Sequence, residues 1–138
     1  MSVKLTDNSS EILYAAAEAK KAALEAVGLK AEKYAKKELT DFPAVDTGRL
    51  RNSITHATVL EEGAEYIGTN VEYGKWIEHG TGIYASDGQG KKDPWVYQDD
   101  EGNYHLTKGV RPVHFLKKAA TEHTKEYREI TEEKFENA

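Results

Sequence analysis

Val45-Asp46-Thr47-Gly48-Arg49-Leu50-Arg51-Asn52-Ser53-Ile54 divides the chain into a helical half and a mixed half. Asp46 or Thr47 can cap a short turn of helix, its oxygen accepting a free backbone amide, and Leu50 and Ile54 then share one face four residues apart. Just upstream stands Phe42-Pro43, where a helix has to stop, because proline supplies no amide and pushes the residue before it out of the α region. Just downstream the apolar spacing changes to that of strands, so the stretch reads as punctuation between a helix and a sheet.

Working back from it, residues 8–39 read as one long helix. Asn8 with Glu11 matches a capping box, and Ile12, Ala16, Ala19, Ala23, Val27, Ala31 and Tyr34 recur at spacings of three and four. The stripe is mostly alanine, which buries little area per contact but lets another backbone approach closely. Unbroken to Glu38 it would be about 45 Å long. Gly28 offers a place for a bend or interruption, at roughly 1 kcal/mol relative to alanine. The stripe can pack within its own domain or against a second subunit.

Working forward, 54–60 and 65–71 read as two strands joined at Glu61-Glu62-Gly63-Ala64, a hairpin. Tyr73, Trp76 and Ile77 share a helical face in a short helix expected to plug one sheet face, with Gly80 placed just past its C-terminus. Residues 82–93 hold Gly82, Gly88 and Gly90 and no apolar period, and read as a mobile loop. Residues 93–98 and 103–107 flank Asp99-Asp100-Glu101-Gly102 and read as a second hairpin, an arm whose Trp95, Tyr97 and Tyr104 form either a partner surface or a small second core. Pro112 opens a last helix over 112–134 with Leu116, Ala119, Ala120, His123, Tyr127 and Ile130 on its apolar face. The expected class is α+β, a long N-terminal helix with small antiparallel hairpins, a short packed helix and a C-terminal helix, all in one domain over 1–138.

Composition narrows the function. At 138 residues the chain suits one core, and 38% apolar against 31% charged residues implies a thin core or helices that project toward partners. No run approaches the roughly 18 apolar residues needed to span a bilayer, and the first residues lack a secretory pattern, so synthesis in the cytoplasm without membrane association is expected. The absence of cysteine removes disulfides, thiolate zinc sites and cysteine nucleophiles. A net charge of −5 argues against broad gripping of DNA phosphates, though not against surrounding a duplex loosely.

Reactive constellations are weak. His56, His79, His105, His114 and His123 fall on different elements with no ligand-like pair, and Glu78-His79 lacks the second histidine of the helical zinc motif. Gly88-Gln89-Gly90-Lys91-Lys92 is no phosphate loop, because Ala85 stands where the first glycine is needed and Lys92 where Ser or Thr is needed. Lys91 and Lys92 remain candidates for contact with DNA or an acidic neighbour. Ser53 has no nucleophile-elbow surroundings. No cofactor, metal or catalytic residue is expected.

Three pieces occur together in order. They are Val45 to Ile54; Ile67-Gly68-Thr69-Asn70-Val71 running into Tyr73, Trp76 and Glu78-His79-Gly80-Thr81-Gly82; and Arg111-Pro112 with Phe115-Leu116. Jointly they resemble the neck or tail-component family of long-tailed, lambda-like bacteriophages, over residues 10–130. The resemblance implies a non-catalytic virion protein of the head-tail junction that assembles as a homo-oligomeric ring and joins tail to capsid. Its implied neighbours are head-completion and tail-terminator or tail-tube proteins, with genomic DNA passing through unread. The signature positions it carries over are Asp46, Thr47, Gly48, Leu50, Ser53, Gly68, Tyr73, Trp76, Glu78, Gly80, Thr81, Pro112, Phe115 and Leu116. Two departures stand out: Val113 and His114 separate Pro112 from Phe115 where relatives often place proline directly before the Phe-Leu pair, and His79 stands where an aromatic is common. A gene of this family sits as readily in a prophage as in a phage. The alternative is a small host protein-binding module with no virion role.

Overall fold

A computed structural model describes residues 1–42, 47–99 and 101–138. The expected proline stop at Pro43, the cap at Asp46 or the Thr47 side chain, and Asp100 of the second turn lie outside the described residues.

The first helix, α1, runs unbroken from Ser9 to Thr40 over 32 residues, about 48 Å at about 1.5 Å per residue. The capping box does not form. The Asn8 side chain makes no cap bond, its carbonyl instead accepting the Glu11 and Ile12 amides, and Asp7 Oδ1 accepts the Ser9 amide at 2.9 Å. Hydrogen bonding from Ser9, its side chain foremost and then its amide, holds the Asp7 carboxyl below its ordinary value.

Gly28 causes no bend. It is buried where Glu65 crosses the helix, and a Cβ built there would stand 2.0 Å from Glu65 Oε1. The missing side chain is what lets the hairpin lie against α1. The observed buried stripe is Ala19, Ala23, Gly28, Ala31, Ala35 and Leu39. Val27 and Tyr34 are half-buried, while Ile12 and Ala16 are exposed because the first turns of α1 extend past the body.

After α2 (Thr47–Ser53), strands β1 (Thr55–Val59) and β2 (Ala64–Gly68) pair antiparallel from Thr55 opposite Gly68 to Val59 opposite Ala64. The strands are shorter than the sequence suggests. Ile54 follows α2 as a fully buried core residue, and Val71 sits in the turn into α3 (Gly74–His79), where its carbonyl accepts the Gly74 amide. A 3-10 turn over Gly82–Tyr84 follows, and then β3 (Trp95–Gln98) and β4 (Tyr104–Thr107), a second antiparallel hairpin. The α+β class holds, with the two hairpins standing as separate two-stranded sheets.

The helical C-terminus comes in two pieces, α4 (Phe115–Thr121) and α5 (Thr124–Glu136), where the sequence suggested one. At the break the His123 ring stacks flat on Tyr34, centroids 3.5 Å apart, and the Tyr127 hydroxyl donates to the Ala119 carbonyl at the end of α4. Both contacts require α5 to leave the axis of α4. Burial, reinforced by the neighbouring Tyr34 and Glu126 charges, pushes the Tyr127 phenol up to about 12.

The core lies where α1, α2 and α4 meet. Ala35, Leu39, Leu50, Ile54, Val71, Phe115 and Ala119 are buried there, and Tyr34, Ile67, Tyr73, Ile77, Val113 and Leu116 pack around them. Because so many of these residues are small, Phe115 is its largest fully buried side chain. Phe115→Ala is expected to remove about 3–5 kcal/mol of stability by emptying this centre. Ile12→Ala, on the uncovered part of α1, should change stability by less than about 0.5 kcal/mol. Denaturant unfolding of the two variants measures both values, and equal losses would show that the core is misplaced.

Candidate functional site

The three signature pieces, far apart in sequence, meet around one joint. Leu50 and Phe115 pack together in the core. Ser53 Oγ donates to the Leu50 carbonyl at 2.6 Å and meets Thr69 Oγ1 at 2.5 Å, so the end of α2 is tied to the end of β2. Gly68 closes the β ladder opposite Thr55, and Gly48 is exposed on α2. Tyr73 is half-buried beside the core with the Arg49 guanidinium 5.7 Å from its ring centroid.

Glu78 is the centre of the joint. It is 6% exposed, and its carboxylate accepts the Leu116 amide at 2.8 Å and the Lys117 amide at 2.9 Å, one on each oxygen. Helix starts leave such amides without intrahelical partners, and a carboxylate there also meets the favourable end of the helix dipole. The chain reaches this geometry through His114, which takes a left-handed conformation at φ 55 just before α4. The amides of Val113 and His114 donate to the carbonyls of Ile77 and Glu78. The two residues separating Pro112 from Phe115 therefore form the turn that seats α4 on α3.

Gly80 ends α3 as expected, its amide donating to the Trp76 carbonyl at 2.8 Å. It also lies against Pro112, so the second and third signature pieces touch. The next residues are drawn onto the base of the arm. Thr81 donates its amide to the Val110 carbonyl and accepts the Val110 amide on Oγ1, both at 2.9 Å, and the Ile83 amide donates to Lys108. Here two backbones touch: a Cβ on Gly82 would stand 1.9 Å from the Lys108 carbonyl oxygen. The segment expected to be a mobile loop is thus hydrogen-bonded at its start, and the Ser86 amide is held by the His79 carbonyl.

Trp76 does not plug a sheet. It is 52% exposed, because the inward face of α3 is taken by Glu78, Gly74 and the half-buried Ile77. Trp76 instead lines a cleft of about 630 Å³ shared with Trp95 and His79. The Lys75 ammonium lies 5.4 Å from the Trp76 ring centroid and the Lys91 ammonium 5.7 Å from that of Trp95, while Lys92 donates to the Gly88 carbonyl. On the arm, Tyr97 is 48% exposed and stacks on His105, and Tyr104 is 74% exposed. These two therefore form no second core.

Two acids make bonds that the sequence reading did not assign. Asp99 organises the arm turn, accepting the amides of Glu101 and Asn103 and pairing with His105 Nε2 at 2.7 Å. The His105 bond foremost, then the Asn103 amide, hold its carboxyl below the ordinary value. Glu32 on α1 pairs with Lys36 at 3.1 Å and with His56 of β1 at 2.8 Å. The signal for Glu78 was present but indirect: Pro112, Val113 and His114 include no Ser, Thr, Asp or Asn to cap α4.

Among the described residues no group of His, Asp and Glu is arranged to hold a metal ion, and no helix is long and apolar enough to cross a membrane. The arrangement is that of a protein whose distinctive residues fix shape, a small α+β structural module. Residues 4–80, more than half of the chain, match the profile of the family described as "Bacteriophage HK97-gp10, putative tail-component". The chain belongs to this phage tail-component family, which places it among virion structural proteins. Searches of curated proteins and of solved structures match nothing.

Two outcomes test the joint. Glu78→Gln leaves one acceptor and turns an amide toward a helix amide, and it is expected to remove about 1.5–3 kcal/mol. Hydrogen exchange at Leu116 and Lys117 should quicken with it, and unchanged exchange there would refute the capping role. For Glu32, burial raises the carboxyl but the hydrogen bonds from Lys36 and His56 outweigh it, leaving the group below 4.5 when folded. Its contribution is therefore present above that value and lost as pH falls through the folded one. Stability of Glu32→Gln followed against pH should show a flatter acid limb than the parent.

Proposed function

We propose that this chain is a non-catalytic component of the phage head-tail junction, in which copies form a ring that joins tail to capsid around the DNA path. The chain acts as one unit, with the signature residues setting its outline and the adjacent head-completion and tail-terminator or tail-tube proteins as neighbours. The reading rests on membership of the tail-component family over residues 4–80.

What supports assembly beyond the family is apolar surface left in water. Ile12, Leu13 and Tyr14 on the overhang of α1 are 59%, 69% and 71% exposed, and the arm presents Val96, Tyr104 and Leu106. Clustered exposed apolar residues mark contact surfaces. The acidic balance suits a wall that DNA passes without sticking.

Tyr104→Ser with Leu106→Ser removes apolar anchors from the arm without touching the core. The unfolding midpoint should hold while the yield of joined particles falls about tenfold or more, the effect of losing one contact hot spot. Complementation of a phage lacking the gene, scored by tailed particles in micrographs, is the measurement. Normal joining by the double variant together with a strictly monomeric protein that never enters particles would overturn the reading.

A further inference from the structure

Two exposed features of the molecule match each other. The first is the cleft between Trp76 and Trp95, an aromatic slot with Lys75 over one indole and Lys91 over the other. Its volume of about 630 Å³ falls in the usual range for sites that enclose a ligand group. Among the described residues Asp87 is the one carboxylate lining it, and its Oδ1 already accepts the Gln89 amide.

The second is the overhang of α1. Glu11, Tyr14 and Glu18 lie three and four residues apart on one helical face, so an exposed aromatic ring is flanked on each side, one turn away, by a carboxylate. The two acids are about 10 Å apart along the axis. Tyr14 is 71% exposed and Leu13 beside it 69%. An aromatic between two acids is the complement of an aromatic slot between two lysines.

We infer that the Trp76–Trp95 cleft receives the α1 overhang of a second copy of this chain, with Tyr14 between the indoles and Glu11 and Glu18 facing Lys75 and Lys91. The inference rests on the assembly reading above and names the contact that would build it. The two surfaces are different patches of one protein, so the contact is head-to-tail, and repetition of it closes into a ring or runs on as a filament. Opposite charges fix the register, and burial of the aromatic rings in the slot supplies the attraction.

The chain contains no cysteine, so introduced thiols can be cross-linked without background. Leu13→Cys protein mixed with Lys91→Cys protein, treated with a short bis-maleimide, should give a heterodimer, and a chain carrying both substitutions should give a ladder. Homodimers from Leu13→Cys alone in place of the heterodimer would overturn the proposal, as would a parent chain that stays monomeric at its highest soluble concentration. Charge reversal provides the second arm. Lys75→Glu with Lys91→Glu should weaken self-association at least about tenfold, and adding Glu11→Lys with Glu18→Lys in the same chain should restore it. Failure of the rescue, with all variants folded by circular dichroism, counts against the contact. The cross-link reads contact and not location. A ladder from protein that never enters particles would therefore sink the junction reading and leave this contact standing, while rings joined without the cross-link would do the reverse.

Discussion

A single buried carboxylate ties the middle of the chain to its C-terminal helical segment. Glu78 sits on a helix of six residues, and its two oxygens hold amides of a helix that begins almost forty residues later. Left without partners in a buried setting, those amides and the carboxylate would each carry a large desolvation penalty. Because α4 also supplies Phe115 and Ala119 to the core, its placement decides whether Leu39, Leu50 and Ile54 have anything to pack against. The joint and the core thus depend on one another: the polar groups orient α4, and its apolar face completes the packing.

The rest of the body is economical in the same way. Small side chains let backbones approach along α1, and where even alanine is too large the chain uses glycine, as at Gly28 beneath Glu65. On the far side of α1, Glu126 accepts a hydrogen bond from the Tyr34 hydroxyl and pairs with Lys30 at 3.3 Å. The Tyr34 bond foremost holds Glu126 below its ordinary value. These contacts fasten α5 to α1, although no residue of α5 is fully buried. A body of this kind keeps little hydrophobic surface for itself and leaves much of it on the overhang and the arm, as expected of a component completed by its neighbours.

Local signals in the sequence gave the local structure. The long helix, both hairpins and the Gly80 terminus follow from periodicity and turn chemistry acting within a few residues, and they appear where expected. The failures come from tertiary contacts. Gly28 looked like a weak point of the helix because its use, a close crossing by Glu65, is set 37 residues away in β2. Trp76 looked like the buried member of α3 because an aromatic outranks a glutamate in any pattern of hydrophobicity, yet only the glutamate can satisfy helix amides. The break between α4 and α5 was hidden because Tyr127 and His123 suit an apolar helical face whether or not the helix bends to use them. Leu50 shares the core with Phe115 and Gly80 lies against Pro112, but nothing in their spacing announces that Thr81 would grip Val110.

The bare crossing of Gly82 over Lys108 and Gly109 bears on how force travels through the molecule. With main chain against main chain there is no side chain between them to flex, so the arm cannot tilt independently of the segment it crosses. A tug on the hairpin is taken up at Thr81, one residue past Gly80 and three past the carboxylate that latches the C-terminal helices. Tension at the tip would therefore reach that latch through only a few residues of backbone.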